Sequence, residues 1–296
     1  MFRGNFTDIP TFIGEWQASV SYTETAARWK YYDFFIRSCA KYDFAQVIWD
    51  NGEDFFNRET ATFYDPSGKE IISNAVEGVA NSLADSTTDA AASSQSSSAY
   101  LFHHVGDDVT DQSVPYLLNG NTLTDIADSS GTSLTESQYS MSSSGELTLT
   151  ADYLGTLYAA DDPAGIKETL TLTFSAGASL SLQIVQYETP TVEATSYPFQ
   201  ENDLSIPVTW GGLAEVATVK AVLADGTYLA DDWTQYLGPL QQARWTYNNY
   251  NWDEENLIVT TQGLTTIGAA GQDVILTWEF FPRSVGENMV NVTLTQ

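Results

Sequence analysis

The sequence predicts a multidomain chain in which a region of mixed strands and helices precedes two all-β sandwiches. Tryptophan occurs only within residues 1–78 and 199–296. Beyond residue 100 the apolar pattern changes from a helical period to a period of two. Residues 1–78, 79–198 and 199–296 hold 7, 1 and 3 basic against 12, 15 and 12 acidic side chains. The three parts therefore differ in character, with net charges of −5, −14 and −9.

The first region, residues 1–78, is predicted to alternate strand, helix, strand and helix. Residues 11–15 and 45–49 are short apolar runs typical of buried strands. Residues 21–24 carry a capping-box signature, which begins a helix. Apolar side chains follow at helical spacing, namely Ala27, Tyr31, Phe34, Phe35 and Cys39. A weaker helix is predicted over residues 69–76.

The next segment, residues 79–99, is predicted to be a flexible linker. It is rich in serine, alanine and threonine and offers almost no large apolar side chain for burial. A second junction is expected at Pro190, because proline removes a hydrogen-bond donor from a strand ladder.

The second region (100–190) and the third region (191–296) are each predicted to be an antiparallel β-sandwich of about 100 residues. Polar and apolar residues alternate at 146–150, and 169–174 and 179–185 flank a small turn as a hairpin. Further strands are predicted at 216–223, 256–261, 273–281 and 289–295.

The formal charge of −28 bears on the partners to expect. An acidic surface repels phosphate backbones and anionic lipid, so neither nucleic acid nor a membrane is an expected partner. No apolar run reaches the roughly 18 residues of a membrane-spanning helix. One cysteine and two histidines are too few for an internal disulfide or a His/Cys metal cage. We therefore expect no metal and no cofactor.

Candidate chemistry lies at the ends of the two predicted strands of the first region. Glu15 follows a buried strand beside a glycine and an aromatic residue, and Trp49, Asp50 and Asn51 end the next strand. In α/β barrels the catalytic residues occupy the carboxyl ends of strands. An aromatic face beside a carboxylate suits a sugar. The alternative is a tryptophan at the core edge and an ordinary loop acid with an ordinary pKa at Asp50.

These motifs resemble the last two strand–helix units of the barrel in glycoside hydrolase family 5. The enzymes of this resemblance are β-1,4-glucanases of the retaining type. The resemblance rests on residues 13–16, on Arg28 and Trp29, and on residues 49–52 and 55–58. It implies a partial (β/α)8 TIM barrel over residues 1–78.

The same resemblance implies roles for single residues. Glu15 would be the catalytic nucleophile, and Trp49 would lie under the sugar at the cleavage point. Asp50 and Asn51 would line the cleft.

The two sandwich regions resemble modules that follow such barrels. Residues 118–123, 130–135 and 170–177 are similar to an immunoglobulin-like X-type module, which we interpret as a spacer. Residues 207–212 and the stretch to Gln296 resemble carbohydrate-binding module family 46. This order implies a secreted, extracellular enzyme that attacks cellulose, mixed-linkage glucan or xyloglucan, with the last module completing the substrate cleft.

Aromatic residues of the third region are candidates for binding a β-1,4-glucan. Tyr250 and Trp252 lie among amides and acids in a stretch too polar for burial on both faces, and we expect them to face the ligand. Trp245 and Tyr247 share one sheet face and belong either to the site or to the core. The sequence leaves the same two alternatives, binding site or core, for Trp233.

Hydrolysis by this chain alone is not expected. Retaining hydrolysis needs two carboxylates, and the family places its acid/base glutamate after an asparagine on an earlier strand, whereas this sequence has no Asn-Glu-Pro. Two strands cannot close a barrel. A truncated gene is the favoured explanation, against a degenerate remnant or a subunit completing another chain's barrel. A non-enzymatic β-glucan or cell-wall binding protein is the alternative function.

Overall fold

The structure is a computed structural model that describes residues 9–158, 163–229, 233–246 and 248–296. The first region alternates strands and helices in the predicted order. Its elements are β1 (Thr11–Trp16), α1 (Thr25–Lys41), β2 (Phe44–Ile48), β3 (Phe56–Asn57), β4 (Thr62–Phe63) and α2 (Pro66–Val76). Strands β1 and β2 pair in parallel, and β3 and β4 form a small antiparallel hairpin.

Helix α1 is confirmed, but its cap is not the predicted one. The carboxylate of Glu24 accepts hydrogen bonds from the backbone N–H groups of Ala26 and Ala27, both at 2.8 Å. An acidic N-cap satisfies donors that the first helical turn leaves unpaired and also complements the helix dipole. The helix therefore begins after Glu24 rather than after Ser21.

The predicted barrel fragment is wrong. The described residues are nearly all β-sheet with four short helices, and they contain no TIM barrel. Strands β1 and β2 form a separate two-stranded sheet, while the larger sheets have four strands each and belong to β-sandwiches. The physical reason lies in what the helices bury: α1 and α2 pack against the second region and share one hydrophobic core with it.

Asp65 ties the two helices of the first region together. Its buried carboxylate accepts hydrogen bonds from Arg28 Nε at 2.8 Å and from Trp29 Nε1 at 2.9 Å, both on α1. It also caps α2 by accepting from the backbone N–H of Gly68 at 2.8 Å. Trp29 itself is almost fully buried in the shared core.

The second region is a sandwich of two four-stranded sheets, ordered β5-β7-β10-β9 and β6-β12-β11-β8. Its elements are β5 (Leu83–Ala84), β6 (Tyr100–His104), β7 (Gln112–Leu117), β8 (Leu123–Ala127), β9 (Tyr139–Met141), β10 (Glu146–Leu149), α3 (Ala151–Leu157), β11 (Gly165–Phe174) and β12 (Leu180–Tyr187). The predicted hairpin is confirmed, because β11 and β12 pair antiparallel.

The segment 79–99 is held at both of its ends. Leu83 and Ala84 form β5, an edge strand whose side chains are buried in the shared core. Further along, the backbone N–H of Gln95 donates to the carbonyl of Arg283, and that of Val285 donates to the carbonyl of Ser93, both at 2.8 Å. These bonds attach the segment to the third region.

The third region is a sandwich with a separate core, in which the sheets are ordered β13-β15-β18-β17 and β14-β20-β19-β16. Its elements are β13 (Thr191–Val192), β14 (Ser196–Pro198), β15 (Leu204–Thr209), β16 (Val216–Leu223), a 3-10 helix (Trp233–Tyr236), β17 (Tyr250–Trp252), β18 (Asn256–Val259), α4 (Thr261–Ala270), β19 (Val274–Phe280) and β20 (Met289–Thr295).

Tyr22 joins the first region to the third. Its ring meets the rings of Tyr250 and Trp252 edge to face, with centroids 6.2 and 5.7 Å apart.

Among the described helices, none is long and apolar enough to cross a membrane.

Candidate carbohydrate-binding groove

Two cavities meet at Tyr22 and Arg244. The first, called the Trp49 cavity, measures about 770 Å³ and is bordered by Gln17, Trp49 and Asn51 besides these two residues. The second, called the Trp233 cavity, measures about 430 Å³ and is lined by residues of the third region together with Tyr22. Because both are lined by Tyr22 and Arg244, the two cavities adjoin each other between the first and third regions, and we call the pair the aromatic groove.

Trp49 stands at the end of β2, as the sequence predicted. Its backbone N–H donates to the carbonyl of Trp16 at 3.0 Å, which extends the parallel pairing by one residue. The side chain is 46% exposed. Its indole therefore offers a free ring surface on which a sugar can stack.

Asp50 has a structural task beside Trp49. The pKa of Asp50 is below the usual value for an aspartate. Desolvation would raise this pKa, but hydrogen bonds from the backbone N–H groups of Phe56 and Gly52 and from Arg58 outweigh desolvation and lower it. The Arg58 Nη2 to Asp50 Oδ2 distance is 3.0 Å. The expectation of an ordinary pKa is therefore wrong, and this carboxylate is engaged in the turn after β2.

Polar groups form the floor of the Trp49 cavity. Asp54 accepts a hydrogen bond from the Ser19 hydroxyl at 2.6 Å and a longer one from Asn51 Nδ2 at 3.4 Å. Gln17 Nε2 is buried and has no hydrogen-bond partner among the described residues. The cavity thus presents amide donors beside an aromatic ring, which is the combination that sugar hydroxyls and sugar C–H groups require.

Trp233 is the exposed aromatic residue at the other end of the groove. It begins the 3-10 helix of the third region and is 57% exposed. Tyr236 ends the same helix and is 82% exposed, but it does not line the Trp233 cavity. The helix therefore directs one aromatic ring into the groove and another into solvent.

The other aromatic candidates of the third region are covered, against the expectation for Tyr250 and Trp252, whereas for Trp245 the core was one of the two alternatives. Trp245 and Tyr250 are 1% and 3% exposed and belong to its hydrophobic core. Trp252 is half-buried, with its ring against Tyr22. The structure gives Trp245 and Tyr250 almost no free ring face, because the indole of Trp245 lies against Gly263 of α4 and the ring of Tyr250 meets Trp278 of β19 edge to face, with centroids 5.9 Å apart. Tyr247 lies outside the described residues.

Glu15 is placed apart from the groove. It is an exposed residue of β1 and does not border the Trp49 cavity. The structure therefore brings Trp49 and Asn51 together with Trp233, and it leaves Glu15 outside this group.

Sequence analysis missed the two residues that join the cavities. Tyr22 was noticed only as part of a capping signature, and Arg244 was not singled out. Neither carries a local signal, because their role depends on the contact between two distant parts of the chain.

A third cavity, of about 400 Å³, shares Tyr22 and Arg244 with the groove and is called the Glu24 cavity. Glu24 and Glu215 both border it. Desolvation raises the pKa of Glu215 from 4.5 to about 7, while Arg28 opposes the rise and Glu24 adds to it. Desolvation also raises the pKa of Glu24, against hydrogen bonds led by that from Ser97. This junction between the regions thus contains carboxyl groups that ionise reluctantly.

Comparison with known families finds a match in the second region. Residues 95–184 match the family described as carbohydrate binding domain X2. This is the region that we interpreted as a spacer from its sequence. In its described part, 100–158 and 163–190, every tyrosine and phenylalanine side chain is buried or half-buried. An exposed aromatic platform is therefore found in the groove and not on this sandwich.

Whole-chain comparisons find endoglucanases. The chain is 27% identical over 234 residues to endoglucanase B of Paenibacillus lautus, which covers 77% of this chain and 38% of that protein. The structure superposes on a tri-modular GH5 (subfamily 4) endo-beta-1,4-glucanase from Bacillus licheniformis with a TM-score of 0.80 and 28% identity. That match covers 98% of this chain and 52% of the other. The same enzyme has also been solved in complex with cellotetraose.

A more distant structure shares the fold. Endo-beta-1,4-glucanase B from Bacillus halodurans superposes with a TM-score of 0.70 at 22% identity, covering 97% of this chain and 51% of that chain. The chain thus spans about half the length of these solved structures. It is similar to the C-terminal part of tri-modular GH5 endoglucanases that carry a carbohydrate binding domain X2.

Proposed function

We propose that the aromatic groove binds a neutral β-1,4-glucan and that the chain serves as the accessory, carbohydrate-binding part of an extracellular endoglucanase. The single observation that carries this proposal is the pair of exposed tryptophans, Trp49 and Trp233, one in each of the two adjoining cavities of the groove. Flat indole rings stack on the C–H faces of glucose units, and neighbouring amides bond to the hydroxyls.

The comparisons support this proposal in outline. The X2 match is to a carbohydrate-binding family, and the relatives that resemble the whole chain are named endoglucanases. We keep as proposals the finer assignments of the second region to an immunoglobulin-like X-type module and of the third region to carbohydrate-binding module family 46. The preferred glucan, whether cellulose, mixed-linkage glucan or xyloglucan, is also a matter for experiment.

Replacing Trp233 or Trp49 with alanine is expected to weaken glucan binding about 5- to 30-fold, since each removes one stacking surface worth about 1 to 2 kcal/mol. The measurement is retardation in native gels that contain mixed-linkage β-glucan or xyloglucan. Tyr236→Ala is the matched control, because it removes a still more exposed ring from the same 3-10 helix but outside the cavity.

The outcomes of this experiment separate clearly. Equal retardation of the wild type, W233A and Y236A would show that binding occurs elsewhere. Absence of retardation of the wild type on every glucan tested would refute the proposed function.

We also propose that the chain does not hydrolyse glucan by itself. Glu15 is exposed on β1 and lies outside the Trp49 cavity, and Asp50 is engaged by Arg58. Retaining hydrolysis requires two carboxylates about 5 to 5.5 Å apart at the bond that is cleaved. A non-enzymatic wall-binding protein would likewise bind glucan without hydrolysing it. It would differ from the accessory part of an endoglucanase only in having no catalytic partner.

Release of reducing ends from carboxymethyl cellulose or xyloglucan is expected to stay at the background level for the wild type and for Glu15→Gln alike. The physical reason is that, among the described residues, the Trp49 cavity offers no second carboxylate that pairs with Glu15 to protonate the leaving group. Release that is measurable in the wild type and abolished in E15Q would contradict this prediction and would establish Glu15 as a nucleophile.

A further inference from the structure

Arg244 lies where three cavities meet. It borders the Trp49 cavity, the Trp233 cavity and the Glu24 cavity. The residue is exposed, so its guanidinium is accessible from the groove. It therefore stands between the two exposed indoles on the path that a bound chain would follow.

The backbone of Arg244 is held firmly, although its side chain is exposed. An isolated antiparallel bridge pairs it with Lys220 of β16. On either side, the N–H of Trp245 donates to the carbonyl of Val219 at 2.7 Å, and the N–H of Ala221 donates to the carbonyl of Ala243 at 3.1 Å. The side chain thus starts from a fixed point, which limits the entropy lost when it binds a ligand.

The guanidinium of Arg244 is unusual in this acidic protein because it makes no hydrogen bond or ion pair with any described residue. The other nine described lysine and arginine residues each contact a carboxylate, a backbone carbonyl or an aromatic ring. They are Arg28, Lys30, Arg37, Lys41, Arg58, Lys69, Lys167, Lys220 and Arg283. Five N–H donors of Arg244 are therefore available to a ligand.

We infer that Arg244 positions the glucan between Trp49 and Trp233 by donating hydrogen bonds to hydroxyl oxygens of a neutral sugar unit. This inference rests on the proposed function of the groove and adds to it the residue that positions the glucan. The planar guanidinium has two parallel N–H groups that match a pair of adjacent hydroxyls, whereas an ammonium group does not.

The charge of the whole chain identifies the ligand as neutral. With a formal charge of −28, the protein repels anionic polysaccharides such as those rich in uronic acids. The single positive charge of Arg244 does not offset the negative electrostatic field of the protein. Its N–H groups can nevertheless donate hydrogen bonds to uncharged hydroxyl oxygens, which that field does not repel. Binding should accordingly depend little on ionic strength.

The test is titration calorimetry with cellotetraose on the wild type, Arg244→Ala and Arg244→Lys at about 50 mM and about 500 mM NaCl. We expect R244A to bind about 10-fold more weakly, R244K to recover part of this loss, and the wild-type affinity to change less than about 2-fold with salt. Lys41→Ala is the charge-matched control, since Lys41 contacts Tyr42 away from the groove, and it should bind as the wild type does.

The other outcomes contradict the role of Arg244, the proposed function of the groove or the assignment of a neutral ligand. If R244A binds as the wild type does while W233A is weakened, the groove stands and the inference about Arg244 falls. If the wild type does not bind cellotetraose although the glucan gels retard it, the inference about Arg244 falls, and if those gels do not retard it either, the proposed function fails as well. Tighter, salt-sensitive binding of an oligosaccharide that carries glucuronic acid would overturn the assignment of a neutral ligand.

Discussion

Replacing Asp65 with alanine is expected to lower the free energy of unfolding of the first and second regions by about 3 to 5 kcal/mol. The substitution leaves the buried guanidinium of Arg28 without its carboxylate. It also removes the acceptor of the Trp29 indole N–H and the cap of α2 at Gly68. An uncompensated buried charge is the largest of these losses, because the low-dielectric interior cannot solvate it.

Urea unfolding followed by tryptophan fluorescence and circular dichroism measures this loss. The transition of the third region should move little, because its core is separate. Asp85→Ala is the matched control, since Asp85 also pairs with a cation of α1, Lys30, at 2.7 Å but with both side chains partly exposed. It should cost about 1 kcal/mol or less. Equal losses for the two variants would show that burial of the Arg28–Asp65 pair is not what stabilises the helices.

Raising the pH through about 7 is expected to loosen the junction between the first and third regions. Desolvation raises the pKa of Glu215 from 4.5 to about 7 in the folded chain. A carboxyl group with a raised folded-state pKa contributes stability that is fully present below pH 4.5 and is lost as the pH rises through about 7. The loss by pH 8 is about 3 kcal/mol.

Other charged groups at the junction set the size of this effect. Arg28 favours the ionised form of Glu215, and Glu24 opposes it. Tyr100, whose hydroxyl lies 3.0 Å from that of Thr25, is close enough to Glu215 for its own ionisation to be disfavoured. Arg244 and Arg283 border the same cavity from the third region.

Glu215→Gln provides the test of the pH prediction. The neutral amide should flatten the dependence of the melting temperature on pH between about 5 and about 8 and should make the variant more stable than the wild type at the upper end. Glu255→Gln is the control, because Glu255 is an exposed glutamate of the same region. A wild-type melting temperature that stays constant or rises over this range would contradict the prediction.

The helix α1 illustrates how far local pattern predicts the fold. The pattern located the helix and the burial of Cys39, but Phe34 of the predicted apolar face is 72% exposed. The side chains that are buried belong to a neighbouring stripe, with Trp29, Tyr32 and Ile36 at its centre. Periodicity identifies a helix, whereas the face that becomes buried depends on where the second region lies.

In the groove, too, some residues could be predicted from local sequence and others depended on tertiary packing. Trp49 and Trp233 were candidates from sequence, because a tryptophan at a strand end or in a polar stretch is conspicuous. Tyr22 and Arg244 were not, since they are 222 residues apart and meet only when two regions pack together. Trp245 was ambiguous because an alternating pattern specifies two faces of a strand but not which one is covered.

The sequence by itself determined several strands of each sandwich, the alternation of strand and helix before them, the acidic composition and the aromatic residues that we propose bind a sugar. These features follow from interactions between residues that are near in sequence. Only the tertiary structure decided that the first two strands form a small sheet beside a sandwich instead of a barrel, that residues 79–99 are held at both ends, and that the groove lies between regions. The reason is that burial is decided by the surface that packs against an element, and here that surface comes from distant parts of the chain.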